Sequence, residues 1–283
     1  MSTNSLSTRE LNILAYKIRR EALTGIYNAK SGHPGGSLSI AEILSVLYFH
    51  EMNVDAKNPK NPDRDRFVLS KGHCAPALYA ALAHKGFFPV EDIATLRKID
   101  SYLQGHPDMK KVPGVDMSTG SLGQGICAAN GMAMAAKLDK KDYRVYTILG
   151  DGELEEGQVW EAAMFAAHYK LDNLIAFVDL NLLQIDGDVR KVMNPTPVDK
   201  KFEAFGWNVI TCDAHNVEEL ISAINTAKTV ADKPTVILCS SVKGKGVSFM
   251  ENEAGWHGNA PGEEQYNIAI AEINAKIKEL EEN

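Results

Sequence analysis

No stretch of the sequence approaches the roughly 18 consecutive apolar residues that a helix needs to cross a bilayer. The polar start, MSTNSLSTRE, likewise lacks the apolar segment of a secretory leader. Cysteine is scarce: Cys74, Cys127, Cys212 and Cys239 are scattered without CxxC spacing, which argues against a zinc site or a disulfide framework. Free thiols in a reducing, cytoplasmic compartment are expected instead. An excess of positive charge is missing too. A formal charge of −7 and a pI near 5.7 argue against a nucleic-acid or anionic-membrane surface. Internal repeats, low-complexity tracts and a long linker are absent as well. What remains is 283 residues, 45% of them hydrophobic, enough to bury a core as a single domain over residues 1–283.

The first third reads as helical. STRELNILAYKIRREALTGI opens with Ser7 or Thr8 ahead of Glu10, a capping box, and spaces Leu11, Leu14, Ile18 and Ala22 along one helical face. A second box, Ser39 with Glu42, is expected to open a helix over SIAEILSVLYFHEM, and a third helix, CAPALYAALAHKGFF, should end at Gly86. SGHPGGS and DRFVLSKGH read as the intervening loops. From RVYTILGDG onward, short apolar runs alternate with helices. Strands are expected at Tyr143–Leu149, Leu174–Asp179, Trp207–Cys212 and Thr235–Ser240, and helices near 155–169, 197–205, 216–230 and 264–281. That rhythm predicts a three-layer α/β/α fold around a central parallel sheet. Ligands of such sheets sit at the carboxyl ends of the strands, where GDG and DLN fall.

Gly150-Asp151-Gly152 places a carboxylate at a strand end between residues that let the backbone approach a ligand closely. Asn181 ends the next strand. If the strands are neighbours, an Asp oxygen, an Asn oxygen and a carbonyl of the following loop converge, a hard-oxygen set suited to Mg2+ or Ca2+. The plainer reading is a helix cap and a turn. An EF-hand is excluded, because DGELEEG lacks ligands at alternating positions and a glycine at the sixth. Of eight histidines, His33, His73, His106 and His257 each adjoin glycine in a loop, where imidazole and backbone can reach a ligand together. His50, His84, His168 and His215 read as structural. Glu153 and Glu155 read as solvated first-turn acids, and Lys243 and Lys245 in VKGKG as a solvated basic turn.

These stretches resemble the diphosphate-binding section of transketolase in order and content. Asp151 to Asn181 is similar to the GDG…N signature of thiamine-diphosphate enzymes. SGHPGGSLSIAEIL, RFVLSKGHCAPALYA, GHPD, PGVDMSTGSLGQGICAANGMAMA, FEAFGWNVI, DAHNVEEL and KGKGVSFMENEAGWHG extend the resemblance over most of residues 10–260. It implies a thiamine-diphosphate-binding fold with thiamine diphosphate and Mg2+ (or Ca2+, Mn2+) as cofactors. Asp151, Asn181 and the Leu183 carbonyl would hold the metal, and Gly152 would donate to the diphosphate. Gly120 and Leu122 would touch the pyrimidine side, and Ile185 the thiazolium. His73 and His257 would approach the diphosphate and thiazolium side, His33 and His106 would face the sugar's first hydroxyl and carbonyl, and His33, His106, His257 and Glu156 would be the catalytic set. Glu156 would meet an activating glutamate across a subunit interface. Transketolases commonly carry Asn or Gly after the ligand Asn, and Leu182 departs from that.

The resemblance also implies what a partner must bring: a pyrimidine-binding domain, a C-terminal domain and most sugar-phosphate-binding groups. One subunit of a split, α2β2 transketolase acting on sugar phosphates is the expected identity, active only with its partner and using no nucleic acid or membrane. Deoxyxylulose-phosphate synthase, the α chain of a two-oxoacid dehydrogenase and a non-catalytic thiamine-diphosphate-binding module are the alternatives. The SGHPGG-to-GHPD pattern favours transketolase over the first, the phosphate-loop and histidine pattern differs from that of the second, and the loop histidines His33, His106 and His257 speak against the last.

Overall fold

The structure, a computed structural model, describes residues 6–282. Ser7 caps the first helix, α1 (Thr8–Ala29), by a reciprocal box with Glu10, as the sequence predicts. Then follow α2 (Pro34–Leu38), α3 (Ala41–Val46), a π-helical turn over 47–51, strand β1 (Arg66–Leu69), α4 (Ala75–Lys85) and α5 (Gln124–Leu138). Gly86 ends α4 with φ of 93°. The second half contains β2 (Val145–Gly150), α6 (Gly157–His168), β3 (Leu174–Leu180), a small ribbon of β4 (Leu183–Gln184) and β5 (Gly187–Asp188), and α7 (Val189–Val192). It closes with α8 (Val198–Ala204), β6 (Asn208–Asp213), α9 (Val217–Lys228), β7 (Thr235–Ser240) and α10 (Glu263–Glu282).

Five strands form a parallel sheet in the order β1-β2-β3-β7-β6. Alternate residues of each strand feed opposite faces. Phe67, Tyr146, Ile148, Ile175, Phe177 and Ile237 pack with helices α1, α3, α4 and α9. Val68, Val145, Leu149, Ala176, Val178 and Val236 pack with α5, α6 and α8. This is the three-layer α/β/α arrangement expected. Each fully buried side chain of this size is worth roughly 1.5–3 kcal/mol, and a one-residue slip would exchange the two faces, so the register is firmly set. Helix α10 lies against α1 over a third apolar cluster, Leu23, Ala269, Ile273 and Ile277 among it.

Two expectations need correction. RFVL is the edge strand β1, paired only with β2, rather than a loop; four residues among turn formers carry too little periodicity to announce it. Nor do Ser39 and Glu42 form a capping box. The N-cap of α3 is Ile40, Ser39 Oγ donates to Asp179 Oδ2 at 2.7 Å, and Glu42 pairs with Arg19. Both polar groups are drawn into buried tertiary partnerships, and SGHPGGS, expected as loop, already contains the start of α2.

Among the described residues, no helix is long and apolar enough to cross a membrane.

Candidate active site

The carboxyl ends of four adjacent strands open onto one cleft of about 210 Å3. Strand β1 delivers Lys71, β2 Gly150 and Asp151, β3 Asp179 and Asn181, and the loop after β7 Lys243. In a parallel sheet such ends collect the polar loop groups that the strands themselves exclude.

Asp151 is 2% exposed. Its Oδ1 accepts from the Gly152 N–H at 2.8 Å and its Oδ2 from the Leu182 N–H. No cationic side chain pairs with it among the described residues. Burial first, then the charge of Asp179, pushes its carboxyl up to about 6, against the pull of the two N–H donors and Lys243. Asn181 Nδ2 donates to Asp179 Oδ2 at 3.0 Å, and its Oδ1 accepts from the Leu183 N–H at 3.0 Å. Asp151, Asn181 and Leu183 line the same cleft. A buried carboxylate in no ion pair, beside an amide oxygen and a loop carbonyl, fits a divalent cation.

Leu182 adopts φ of 62°. A left-handed conformation costs a non-glycine residue roughly 1–2 kcal/mol, which accounts for the family's Asn or Gly there. The turn keeps its shape because the Leu182 N–H is bonded to Asp151 and its carbonyl accepts from Val189 N at 3.0 Å. Leu182→Asn should raise stability by about 1 kcal/mol, seen as a thermal midpoint about 2 °C higher.

Asp179 is the hub that the sequence reading missed. It is fully buried and accepts from Ser39 Oγ, from Lys71 Nζ at 2.5 Å, from Asn181 and from Ser241 Oγ. Lys71, 2% exposed, also donates to the Gly36 carbonyl at 3.1 Å. Burial opposes its charge, but Asp179 outweighs burial and holds the ammonium above its ordinary range. The pair puts a fixed cation at the floor of the cleft. Its only sequence signal is an Asp two residues before Asn181 and a Lys beside Gly72, neither telling in isolation.

Two residues first read as solvated are not. Glu153 is 2% exposed, and its carboxylate accepts from Ser70 Oγ at 2.5 Å, the Gly123 N–H at 2.8 Å and the Gly150 N–H at 3.0 Å. It ties the β1 end and the loop of residues 118–123 to the GDG turn, a reach into distant segments that no helix-start rule foresees. Lys243 is 2% exposed and donates from Nζ to the Leu183 carbonyl at 3.0 Å. Burial and then Lys71 pull its ammonium below the usual lysine range. Glu155 stays at the periphery, bonded to Gln184 at 2.6 Å, and Lys245 pairs with Glu251 outside the cleft.

The four glycine-flanked histidines come together. Ring centroids lie 5.2 Å apart for His33–His73, 5.6 Å for His33–His257, 5.2 Å for His73–His257 and 6.4 Å for His33–His106. Burial lowers all four, helped by Arg97 at His33 and His106, by Lys71 at His73 and by Lys243 at His257. His33 falls to about 4 and His257 to about 3. All are neutral at pH 7, so each ring offers one donor and one acceptor. Buried Nδ1 of His33 and of His257 have no partner among the described residues. His106 packs on Gly120, where any added Cβ would sit 2.9 Å from its ring and φ is 153°.

His73, His257, Gly120, Leu122 and Gly152 line the cleft, and so does Ile185, which is 64% exposed over it. His33 and His106 join it through the histidine cluster. Glu156 lies outside: it is exposed, at the N-cap of α6, with no capping hydrogen bond from its side chain. The remaining histidines are elsewhere, and His215 packs in the interior against Glu42.

Residues 11–276 match the family described as transketolase, thiamine diphosphate binding domain. The chain is 49% identical to the 6-deoxy-6-sulfo-D-fructose transketolase subunit of Clostridium sp. (strain MSTE9), over 93% of this chain and 96% of that one. It is 43% identical to one subunit of the apulose-4-phosphate transketolase of Phocaeicola vulgatus, over 98% of each. The crystal structure of transketolase from Campylobacter jejuni superposes with a TM-score of 0.86 at 32% identity, covering 98% of this chain. Only 48% of that longer chain is spanned.

Proposed function

The chain belongs to the transketolase family through its thiamine-diphosphate-binding domain, and from that premise we propose that it is one subunit of a two-chain transketolase. The domain binds thiamine diphosphate, and the oxygen groups of Asp151 and Asn181 in the cleft suit a divalent metal beside it. The reaction is transfer of a two-carbon ketol unit from a ketose to an aldose. When bound, thiamine diphosphate supplies the electron sink that lets the ketose give up that unit.

The side chains of Asp151 and Asn181 would hold the metal, with the carbonyl of Leu183 once it is released from Lys243 Nζ. Gly152, His73 and His257 would address the cofactor's diphosphate and thiazolium side, with Ile185 toward the ring and Gly120 and Leu122 on the pyrimidine side, since all six line the cleft. His33, His106 and His257 hold and move protons at the donor's hydroxyl and carbonyl, a task for neutral imidazoles with free nitrogens. One observation carries this reading: among the described residues, Nδ1 of His33 and of His257 lack partners in a histidine cluster whose His257 lines the same cleft as buried Asp151, a carboxylate in no ion pair. A module that only bound the cofactor would have no use for His33, which does not line the cleft.

A separate partner chain supplies the pyrimidine-binding and C-terminal domains and completes an α2β2 assembly, with exposed Glu156 at the junction. Two relatives named as subunits, each matched over nearly its whole length, support this division. Their names pair a sulfonated ketose with a phosphorylated one, so we read the donor as a ketose with an anionic terminus. The four free thiols suit a cytoplasmic setting. Reconstitution tests the reading. Chain, partner, thiamine diphosphate and Mg2+ together should transfer ketol units from a ketose phosphate to an aldose phosphate, followed by product chromatography. Chain and cofactors without partner should give no turnover above background; turnover there would overturn the division of labour.

A further inference from the structure

We propose that Arg19, Glu42 and His215 form a buried brace that positions the loop delivering Ser241 and Lys243 to the cofactor cleft, without any of the three touching the ligand. None of them lines the cleft. Arg19, fully buried on α1, donates from Nη2 to both carboxylate oxygens of Glu42, at 2.7 and 2.6 Å, and from Nε to the Leu38 carbonyl at 3.1 Å. His215 follows β6 and lies between Glu42 and the loop. Its Nε2 accepts from the Val242 N–H at 2.9 Å, so the ring proton resides on Nδ1, which faces Glu42 Oε2 at 3.1 Å.

Val242 stands between two groups of the site. Ser241 Oγ donates to Asp179, and Lys243 Nζ donates to the Leu183 carbonyl. The same loop is held at a second point, where the Gly244 N–H donates to the Gly35 carbonyl at 2.9 Å. It is backed by Arg19 at a third, since a Cβ on Gly246 would lie 3.2 Å from Arg19 Cδ. Arg19 therefore grips both the segment carrying His33 and Ser39, through Leu38, and the loop carrying Lys243. A charge network in the interior costs desolvation, and here its return is a fixed backbone amide. Glu42 is held ionised: burial opposes it, but Arg19 and His215 bring its carboxyl down to about 2.

The inference rests on the cleft being the cofactor site, and its test separates the two. In the full chain, His215→Ala should speed amide hydrogen exchange across residues 241–247 while leaving β2 and β3 unchanged. Loss of one hydrogen bond to a charged network should weaken Mg2+-thiamine diphosphate binding by about tenfold in calorimetry. His215→Gln, whose amide can accept from Val242 and donate to Glu42, should restore both. At saturating cofactor, the reconstituted complex should keep its kcat. Exchange that rises uniformly through the sheet, or unchanged exchange and affinity, would overturn the brace. If the unaltered chain took up no cofactor, the cofactor reading would fall, and the exchange pattern would still decide the brace.

Discussion

Asp151→Asn is expected to weaken metal-dependent binding of thiamine diphosphate by about a hundredfold or more, since changing even an outer-shell partner of a metal commonly costs 10- to 100-fold. At the same time, it should leave the metal-free chain no less stable. The two effects share one cause. Asp151 is buried with N–H donors but no cation, so its charge is useful only to a ligand that brings a compensating one. The carboxyl is raised from 3.8 to about 6. For an acid raised in the folded state, the unfolded chain releases the proton first. Stability is therefore full below pH 4 and declines as pH rises through 6, by at most about 3 kcal/mol from this group. The asparagine variant removes that decline and loses one N–H bond. Denaturant melts of both proteins between pH 4 and 7, without metal, measure the effect on stability. Calorimetry with Mg2+ and thiamine diphosphate measures the effect on binding. A variant that bound cofactor normally would remove Asp151 from the metal site.

That trade-off marks the boundary of what the sequence can disclose. Asp151 and Asn181 were legible because glycines flank one, a strand end carries the other, and strand–helix–strand spacing makes the strands neighbours. Their register in the sheet, with Gly150 opposite Asp179, follows from that pattern. Asp179 was not legible. Its four donors come from segments as far away as Ser39 and Ser241, and local reading treats each as an ordinary polar residue. Glu153 was misread for a related reason. Acids in a first helical turn are ordinarily solvated, and only the three-dimensional meeting of Ser70, Gly123 and Gly150 removes this one from water. Local rules succeeded where neighbours in sequence determine the outcome, as in the box at Ser7 and the cap at Gly86. They failed where buried polar groups select distant partners. The edge strand β1 belongs with these failures, since only pairing with β2 makes it a strand.

Removing the imidazole of His33 should have the other large effect, and it should appear in a different measurement. A positioned proton-transfer group typically contributes 10²- to 10⁴-fold in rate, so His33→Ala in the reconstituted complex should lower kcat by about a hundredfold or more. Cofactor affinity should stay within about twofold, because His33 does not line the cleft that holds Asp151. The ring is unprotonated at neutral pH, and so open to a proton, but is a weak base. Burial first, then Arg97 and His106, depress it to about 4, and its Nδ1 is unpartnered. Unfolded histidine titrates near 6.5, so the unfolded chain binds this proton before the folded one does. The contribution to stability is then present above pH 6.5 and is lost as pH falls through 4, and His33→Ala should flatten that slope. An acidic limb of kcat/KM governed by this ring would lie near pH 4 rather than 6.5. Retained turnover in His33→Ala would take the residue out of the mechanism. Lost cofactor binding with lost turnover would instead make it a structural support for His73 and His257, whose rings lie 5.2 and 5.6 Å away.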